Sequence, residues 1–469
     1  MTIKEIKAYQ ILDSRGEPTL MVEMTSDTDK KADFSVPVGK SIGENEAKER
    51  RDQDVSYGGA SVNNNINIIE KIVGPKFIGY PLNQQDDFDS LLSALDGTKD
   101  KSNLGANTIL ALSGAYLKLT AAEKNIDVWD EITQITLTKP AFPRIFANLI
   151  NGGKHAPGLS IQETMIVPKE ISPAAAISQL YDFRIELKRQ LSELYGPSVN
   201  LVGDEGGFAP LGANHEAILE IFDSINKAMG SKFDIALDVA ANSFYENGQY
   251  NFEDQIMSNR QLLDVYLNWD KKFNLLSIED PFAEGDLPGL EAGARSNKRF
   301  MIVGDDTTVT SSAKIEDLAK KGLIGGVIIK PNQVGTMTEM FDAIKTARMS
   351  NLKIIVSHRS GETDDSFIAD LAYAIGAFGI KIGAPVRGER TAKYNRLIKI
   401  ERDYASNLPT AAATTASSLP PIQPTAPTPV SPAPNPVAMT GRIKPAFPQS
   451  NPAPTNPTST PPPARPANF

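Results

Sequence analysis

The chain has 469 residues, contains no cysteine and carries a formal net charge of −9 at neutral pH. The lack of cysteine excludes disulfide bonds, thiolate metal sites and cysteine nucleophiles, and the acidic balance argues against a nucleic-acid surface. The length exceeds one average domain and permits two to four. There is no run of 18 apolar residues and no apolar signal core near Met1. We therefore expect a cytoplasmic protein without a membrane span, and a second location at the cell surface stays open.

Residues 1–130 are predicted to form an α+β domain, because strand patterns precede helix patterns. The segments IKEIKAYQILD and TLMVEMTSD alternate apolar and polar residues, which predicts two antiparallel strands joined by the turn-like segment SRGEP. The segments ENEAKERRDQD, NNINIIEKIVG and NTILALSGAYLKLTAAEKN have the apolar spacing of helices. Strands followed by helices are typical of an α+β unit.

Residues 140–404 repeat one architectural unit, in which a short apolar run ends abruptly at a polar residue. The intervening segments, such as IEDLAKK and MTEMFDAIKTARMS, have helical spacing. The polar residues that end the runs are Asp238, Glu279, Asp305, Lys330, His358 and Lys381. Most successive gaps are about 25 residues, the length of one strand, one helix and two loops. An open doubly wound sheet has a similar rhythm, but polar groups at nearly every strand end favour a parallel β/α barrel.

Residues 405–469 differ sharply in composition from the rest of the chain. The stretch from Pro409 to Phe469 holds 18 of the 33 prolines, and its charged residues are Arg442, Lys444 and Arg465. So little apolar surface cannot offset the entropy of ordering, which predicts a disordered proline-rich tail with polyproline II character. Two interpretations stay open: an inert solubilising extension, or a docking arm for an unidentified partner that binds proline-rich peptides.

Three carboxylates end three successive apolar runs, at Asp238, Glu279 and Asp305. If the barrel closes, the three side chains converge on one mouth, where they repel each other unless a cation lies between them. A set of oxygen ligands with open positions suits the hard cation Mg²⁺. The alternative is that each carboxylate caps the helix that follows it.

Two lysines, Lys330 and Lys381, end later runs. A lysine between a metal site and a second lysine is expected to lose its proton more easily, which makes Lys330 a candidate base near neutral pH. The alternative is a pair of normally titrating lysines that bind phosphate or carboxylate. Between them lies the triplet His358-Arg359-Ser360, which offers a bidentate guanidinium and a hydroxyl group to a phosphate.

Two further segments contribute acidic residues. The segment IQETMIVP contains Gln162 and Glu163, and the segment VGDEGGFAP contains Asp204 and Glu205. The two glycines that follow permit a tight turn and a close approach of the backbone to a ligand. A carboxyl group that faces a lysine is a candidate partner in acid–base chemistry. His215 is predicted to begin a surface helix and is assigned no role.

Twelve segments between residue 11 and about residue 403 resemble the enolase family and occur in the order of that family. They include LDSRGEPT, VPVGKSIGENEA, NLINGGKHA, IQETMIVP, VGDEGGFAP, IIKPNQVGT and VSHRSGETDDSFIADLA. The resemblance implies a C-terminal TIM-like β/α barrel of the enolase type with an N-terminal α+β domain. It also implies a glycolytic lyase that interconverts 2-phosphoglycerate and phosphoenolpyruvate, assembled as a homodimer or a higher homo-oligomer.

The resemblance implies two Mg²⁺ ions per active site. Asp238, Glu279 and Asp305 are implied to hold the first ion. Ser41, in the loop VGKSIG, is implied to bind the second ion, which arrives with the substrate.

The resemblance also implies the catalytic and substrate-binding residues. Lys330 is implied to remove the C2 proton, and Glu205 is implied to protonate the departing hydroxyl group, with Glu163 beside it. His358 is implied to belong to the same catalytic set. The residues implied to contact the substrate are Gln162, His155, Arg359, Ser360 and Lys381.

The chain departs from the family pattern near the implied site. Lys40 replaces a small residue, and the segment from His155 to Glu163 is one residue shorter than usual. Two other functions stay open. One is a related enzyme that acts on a carboxylate without phosphate, which the phosphate-binding pair argues against. The other is an inactive scaffold protein that works through its proline-rich tail.

Overall fold

The structure of the protein, a computed structural model, describes residues 1–40, 43, 45–297 and 299–407. It begins with a three-stranded antiparallel sheet formed by β1 (Ile3–Leu12), β2 (Pro18–Ser26) and β3 (Lys31–Ser35). The Asp13 N–H group donates to the carbonyl oxygen of Glu17 at 2.8 Å and closes the turn between β1 and β2. The predicted strand pair and its turn are therefore confirmed.

Four helices follow this sheet: α1 (Asn63–Ile68), α2 (Gln85–Asp96), α3 (Ala106–Lys124) and α4 (Val128–Thr136). Helix α3 packs against β2 and β3 and is buried on nearly all sides. Such burial explains why its sequence, NTILALSGAYLKLT, carries so few charges. Two of the three predicted helices, at α1 and α3, are confirmed.

The third predicted helix, over residues 44–54, is wrong, because the described residues of this segment are not helical. The N–H groups of Ala47 and Lys48 donate to the carbonyl oxygens of Gln333 and Asp100, at 2.9 and 2.8 Å. Backbone groups that are satisfied by distant parts of the chain do not need helical partners. Tertiary contacts therefore override the helical spacing of the segment.

The rest of the described chain alternates strands and helices. The strands are β4 (Arg144–Asn151), β5 (Glu163–Pro168), β6 (Phe233–Asp238), β7 (Tyr245–Glu246), β8 (Gln249–Phe252), β9 (Gln255–Met257), β10 (Leu275–Glu279), β11 (Met301–Gly304), β12 (Gly326–Ile329), β13 (Lys353–Ser357) and β14 (Gly379–Lys381). The helices are α5 (Pro173–Tyr195), α6 (His215–Ala228), α7 (Asn259–Phe273), α8 (Leu287–Ser296), α9 (Ser312–Lys320), α10 (Met337–Met349), α11 (Phe367–Ala374) and α12 (Gly388–Asn407).

Eight of these strands close a barrel in the order β10, β11, β12, β13, β14, β4, β5, β6. The strands β7–β9 form a separate small sheet. All six apolar runs that were predicted to be barrel strands, from β6 to β14, take part in the barrel. A closed barrel, rather than an open sheet, is therefore confirmed. No helix in the described part of the chain has the length and apolarity to cross a bilayer.

One strand departs from the predicted parallel arrangement, because β5 runs antiparallel to both β4 and β6. Only the loop over residues 152–162 joins β4 to β5, and a parallel crossover usually needs a dozen or more residues with a helix. The start of β5, not its end, therefore lies at the barrel mouth. Glu163, the first residue of β5, pairs with Asp238, the last residue of β6.

The predicted domain boundaries stay a prediction. All described residues belong to one compact unit, so the structure gives no test of boundaries at residues 130, 140 and 404. Helix α12 reaches Asn407, and the predicted proline-rich tail beyond it lies outside the described residues.

Helix α6 begins at His215 as predicted, but the imidazole ring is buried rather than on the surface. Its Nε2 atom accepts the N–H of Ile161 at 2.9 Å, and the ring stacks on Phe252 with 5.6 Å between centroids. Ile161 directly precedes Gln162, so His215 ties the loop between β4 and β5 to α6.

Mild acid should lower the stability of the folded protein through His215, although the buried ring itself stays neutral. Burial lowers the pKa of His215 to about 3, whereas a histidine in an unfolded chain titrates near pH 6.5, at about the ordinary value. Between these values the unfolded chain binds a proton that the folded protein does not, so the stability falls as the pH drops. We expect His215→Gln, which cannot titrate, to reduce the loss of unfolding free energy between pH 7 and pH 5 by ~2 kcal/mol. Urea denaturation of both proteins at each pH measures the difference, and parallel pH profiles would contradict the burial argument.

Candidate active site

The site forms because barrel strands alternate inward and outward residues. Ala236, Val303 and Ile328 point into the apolar barrel core. Two positions further along the chain lie Asp238, the last residue of β6, and Asp305 and Lys330, each one residue beyond its strand. The two-residue period of a strand points them the same way. These polar groups therefore stand at the mouth, directly above the core.

The predicted site residues surround one small cavity at this mouth. Its volume is about 30 Å³, which is room for only a few water molecules. The predicted residues that line it are His155, Gln162, Glu163, Glu205, Asp238, Asp305, Lys330, His358, Arg359, Ser360 and Lys381. Glu279 joins them through a contact with Lys381, and Ser41 lies outside the described residues.

Buried carboxylates and ammonium groups neutralise each other in the cavity. The Lys381 Nζ atom lies 2.9 Å from Asp238 Oδ2, 2.9 Å from Glu279 Oε1 and 3.3 Å from Glu163 Oε1. Lys330 forms an ion pair with Asp305. Because all six side chains are buried, each charge depends on these partners for its stability.

The carboxylates fit a divalent cation of the hard, oxygen-binding class. Asp238 and Glu279 are neighbours in the β6–β10 register, and both are held by one lysine that supplies a positive charge. Asp305 lies in a second group, with ligand atoms of Asp280 and Asp306 within 4.8 Å. The Asp280 carboxylate already accepts the N–H groups of Asp305 and Asp306, at 3.0 and 2.6 Å. The three carboxylates of the predicted triad are instead held by lysines, Asp238 and Glu279 by Lys381 and Asp305 by Lys330.

The protonation of Lys330 differs from the sequence-based expectation. Burial alone lowers the pKa of an ammonium group, and we expected Lys381 to lower it further. The adjacent Asp305 carboxylate outweighs both effects, and the pKa of Lys330 lies above its usual value. Lys381 behaves in the same way, since Asp238 and Glu163 overcome burial and raise its pKa well above the usual range. Both lysines are therefore charged while they are paired.

Glu163 and Glu205 form a carboxylate pair with opposite protonation preferences. Their ligand atoms and those of His155 lie within 4.8 Å of one another. Burial, and then the Glu205 charge, raise the pKa of Glu163 well above its usual range. Burial acts on Glu205 too, but its polar neighbours, His155 first among them, outweigh burial and hold the pKa of Glu205 well below its usual range. Glu163 is therefore the more readily protonated member of the pair.

Glu205 has polar neighbours on three sides, of which Asn148 makes a hydrogen bond. Asn148 Nδ2 donates to Glu205 Oε2 at 2.8 Å, while His155 Nδ1 and His358 Nε2 lie 3.4 and 3.6 Å from Glu205 Oε1. Gly206, the next residue, has a φ of +83°, which confirms the predicted tight turn.

Arg359 is held by a carboxylate from the N-terminal part of the chain. Its Nη1 atom donates to Glu46 Oε2 at 2.9 Å and to Asn332 Oδ1 at 3.0 Å, and all three side chains are buried. A Cβ atom at Gly39 would lie only 1.8 Å from Arg359 Nη2, so only glycine leaves room for this guanidinium.

Lys40 joins the mouth to the loop that carries Glu205. Its N–H group donates to Ser360 Oγ at 2.9 Å, and its Nζ atom lies 3.2 Å from Asp204 Oδ2. The Lys40 side chain is 44% exposed, whereas the other cations that line the cavity are buried. An incoming anion therefore meets Lys40 first.

The sequence analysis missed several residues that shape the site. Glu46 and Asn148 contact Arg359 and Glu205, and Arg390 contacts His358. Asn148 carries a signal that was available, because it follows the inward Phe146 of β4 by two positions. Glu46 and Arg390 lie outside the barrel strands and have no such signal.

Two family profiles together span the chain from residue 3 to residue 418. The profile described as "Enolase, N-terminal domain" matches residues 3–132, and "Enolase, C-terminal TIM barrel domain" matches residues 139–418. The enolase of Elusimicrobium minutum is 40% identical over 86% of this chain and 96% of its own length. The enolase of Anaplasma phagocytophilum is 41% identical over 86% of this chain and 94% of its own length. The enolase of Methanocaldococcus jannaschii is 40% identical over 86% of this chain and 95% of its own length. The chain belongs to the enolase family.

Proposed function

We infer that the protein is an enolase, a hydro-lyase that interconverts 2-phosphoglycerate and phosphoenolpyruvate in glycolysis and gluconeogenesis. The observation that carries this inference is the buried set of paired carboxylates and ammonium groups at the barrel mouth. Removal of a weakly acidic carbon-bound proton needs a base beside concentrated positive charge. Family membership supports the same activity.

The metal of the proposed reaction is Mg²⁺, with two ions per active site. Asp238, Glu279 and Asp305 hold the first ion, and the second arrives with the substrate and binds Ser41, which lies outside the described residues. Mg²⁺ held by these carboxylates would supply positive charge that polarises the substrate carboxylate.

We propose that Lys330 is the base of the reaction and that the Glu163–Glu205 pair is the acid. Lys330 takes the C2 proton once its own proton has left and Asp305 no longer stabilises the ammonium form. Lys381 keeps a positive charge next to the developing negative charge. The carboxylate pair carries one proton, which passes from Glu163 to Glu205, and Glu205 gives it to the departing hydroxyl group, so that water leaves and both carboxylates are ionised.

The remaining predicted residues bind and orient the substrate. Arg359 and Ser360 bind the phosphate, for which a guanidinium and a hydroxyl are suitable donors. Gln162 donates to Asp238 at 3.2 Å and so links a substrate-contacting residue to the metal ligands. His155 and His358 flank Glu205 and fix its orientation.

Turnover with matched variants tests the proposed function. Purified protein with Mg²⁺ and 2-phosphoglycerate should form phosphoenolpyruvate, followed by its ultraviolet absorbance. Lys330→Ala and Glu205→Ala should each lose at least about 10²-fold in kcat, while Lys345→Ala, an exposed lysine of α10, should keep it. Chelation should abolish turnover and added Mg²⁺ should restore it.

Hydrogen exchange then separates the base from the acid. Lys330→Ala should lose exchange of the C2 hydrogen with deuterated solvent, whereas Glu205→Ala should retain it. Exchange at the wild-type rate in Lys330→Ala would remove the base assignment. No turnover by folded wild-type protein would contradict the proposed function itself.

Lys40 should affect substrate capture more than chemistry. The substrate carries a phosphate and a carboxylate, and Lys40 is the exposed cation of the cavity lining. We expect Lys40→Ala to raise KM about 5-fold at low ionic strength with little change in kcat, because a partly exposed ion pair is worth about 1 kcal/mol. The difference should shrink in 0.5 M salt.

A surface ion pair gives the matched control for Lys40. Lys4 pairs with Asp29 away from the cavity, and Lys4→Ala should leave KM unchanged at both salt concentrations. A fall in kcat without a change in KM for Lys40→Ala would contradict a role in capture.

The proposed assembly is a homodimer that uses the N-terminal strands. Leu12 of β1 and Leu201 beside the barrel are both more than half exposed, although both are apolar. A contiguous patch of exposed apolar side chains is typical of a contact with another molecule. The proposed location is cytoplasmic, and no nucleic-acid partner is proposed.

The mass in solution tests the dimer. Light scattering should give about twice the chain mass of 50.7 kDa, and Leu12→Asp should shift the protein toward the monomer. Leu137→Asp, at a more exposed leucine outside these strands, should leave the mass unchanged. A monomer mass at every concentration would contradict the proposal, and a larger multiple would show a higher oligomer.

A further inference from the structure

Arg390 is the largest fully buried side chain in the described part of the chain. It is the third residue of α12, outside the barrel strands, and it has no role in the proposed reaction so far. A buried guanidinium is costly unless several acceptors satisfy it. Its partners therefore indicate what the charge does.

Apart from Glu389, whose Oε1 atom lies 3.4 Å from the Arg390 Nε atom, the partners of Arg390 belong to the two active-site segments around Ser360 and Glu205. Its Nη1 atom contacts His358 Nδ1 at 2.6 Å and donates to the Arg359 carbonyl oxygen at 2.7 Å. Its Nη2 atom donates to the carbonyl oxygens of Ser360 and Asp204, at 2.7 and 3.2 Å. One side chain thus joins the segment after β13 to the loop that carries Glu205.

The contact with His358 has only one chemically consistent form. A guanidinium has N–H donors and no acceptor, so His358 Nδ1 must be the acceptor and must be unprotonated. Burial lowers the pKa of His358 well below its usual range, so the ring is neutral and carries one proton. That proton is on Nε2, the atom 3.6 Å from Glu205 Oε1.

We propose that Arg390 is a positioning residue that fixes His358 in the tautomer with its proton on Nε2 and so directs an N–H group at Glu205. The proposal rests on the proposed function, in which Glu205 delivers a proton to the departing hydroxyl group. An N–H group cannot take that proton from Glu205, and it stabilises the carboxylate that remains after delivery. The opposite tautomer presents a lone pair that competes for the proton.

The tautomer is directly measurable, because the chain has only three histidines. In ¹⁵N-histidine-labelled full-length protein, His155→Gln and His215→Gln assign the signals of the other two rings, and the remaining signals belong to His358. We expect the wild-type protein to show an unprotonated Nδ1 and a protonated Nε2 at His358. A protonated Nδ1 would overturn the proposal, whether or not any variant folds.

Variants then test whether Arg390 is the cause. Arg390→Met keeps the length of the stem but removes every donor, and it should mix the two tautomers and lower kcat about 10²-fold. Guanidinium ion in the buffer should restore part of the activity, which a purely structural role does not predict. Arg390→Lys, which retains the charge, replaces the Met variant if that variant does not fold.

Arg396 provides a matched control on the same helix. It pairs with Asp370 and Asp127 and does not contact His358. Arg396→Met should lower stability but leave the His358 signals and kcat unchanged. An unchanged tautomer and kcat in Arg390→Met, which has no donor, would overturn the proposal. A wild-type protein without turnover, whose His358 tautomer still depends on Arg390, would instead refute the proposed function alone.

Discussion

The mutual neutralisation of buried charges at the barrel mouth is the constraint on which the rest of the structure depends. Lys381 forms ion pairs with Asp238 and Glu279, and Lys330 forms an ion pair with Asp305. Removing charged groups from water is costly, and only close partners of opposite sign offset that cost. These partners come from five different strands, so the charges are tolerable only when the barrel closes. Closure of the barrel and assembly of the site are therefore one event, and loss of one partner leaves the others unpaired at a cost of about 3–5 kcal/mol.

The sequence predicted the barrel well because its strands end at polar residues, which buried strands rarely contain unless function requires them. It failed at β5, where the polar residue Glu163 precedes the apolar run instead of following it. That order indicates a strand that enters the barrel from the mouth, and the short loop before it supports an antiparallel strand. It failed again over residues 44–54, whose helical spacing is local while its hydrogen-bond partners, Gln333 and Asp100, are distant.

Some residues of the candidate site could be predicted from local sequence, whereas others depend on contacts with distant parts of the chain. The positions of Asp238, Asp305 and Lys330 could be predicted from the sequence, because inward and outward residues alternate along each strand. Their roles came from resemblance to a family, since spacing alone also allowed helix caps and ordinary lysines. Glu46 and Arg390 were not predictable, because a buried charged residue in a loop or at a helix start has the same local sequence as an exposed one. Only the folded chain shows which hydrogen-bond partners surround Glu46 and Arg390.

Substrate binding in such a site is an exchange of ion pairs rather than a gain of new ones. Each cation that a phosphate or carboxylate would meet already has a protein partner, as with Arg359 and Glu46 or Lys40 and Asp204. Exchanging one charged partner for another returns little net free energy, so the ground-state affinity stays moderate despite the many charges. The same groups act more strongly on charge that appears only during the reaction, because they are already oriented and need not reorganise. Cations that are already paired with protein carboxylates before the substrate binds thus stabilise the transition state more than the bound substrate. This difference is the condition for rapid turnover.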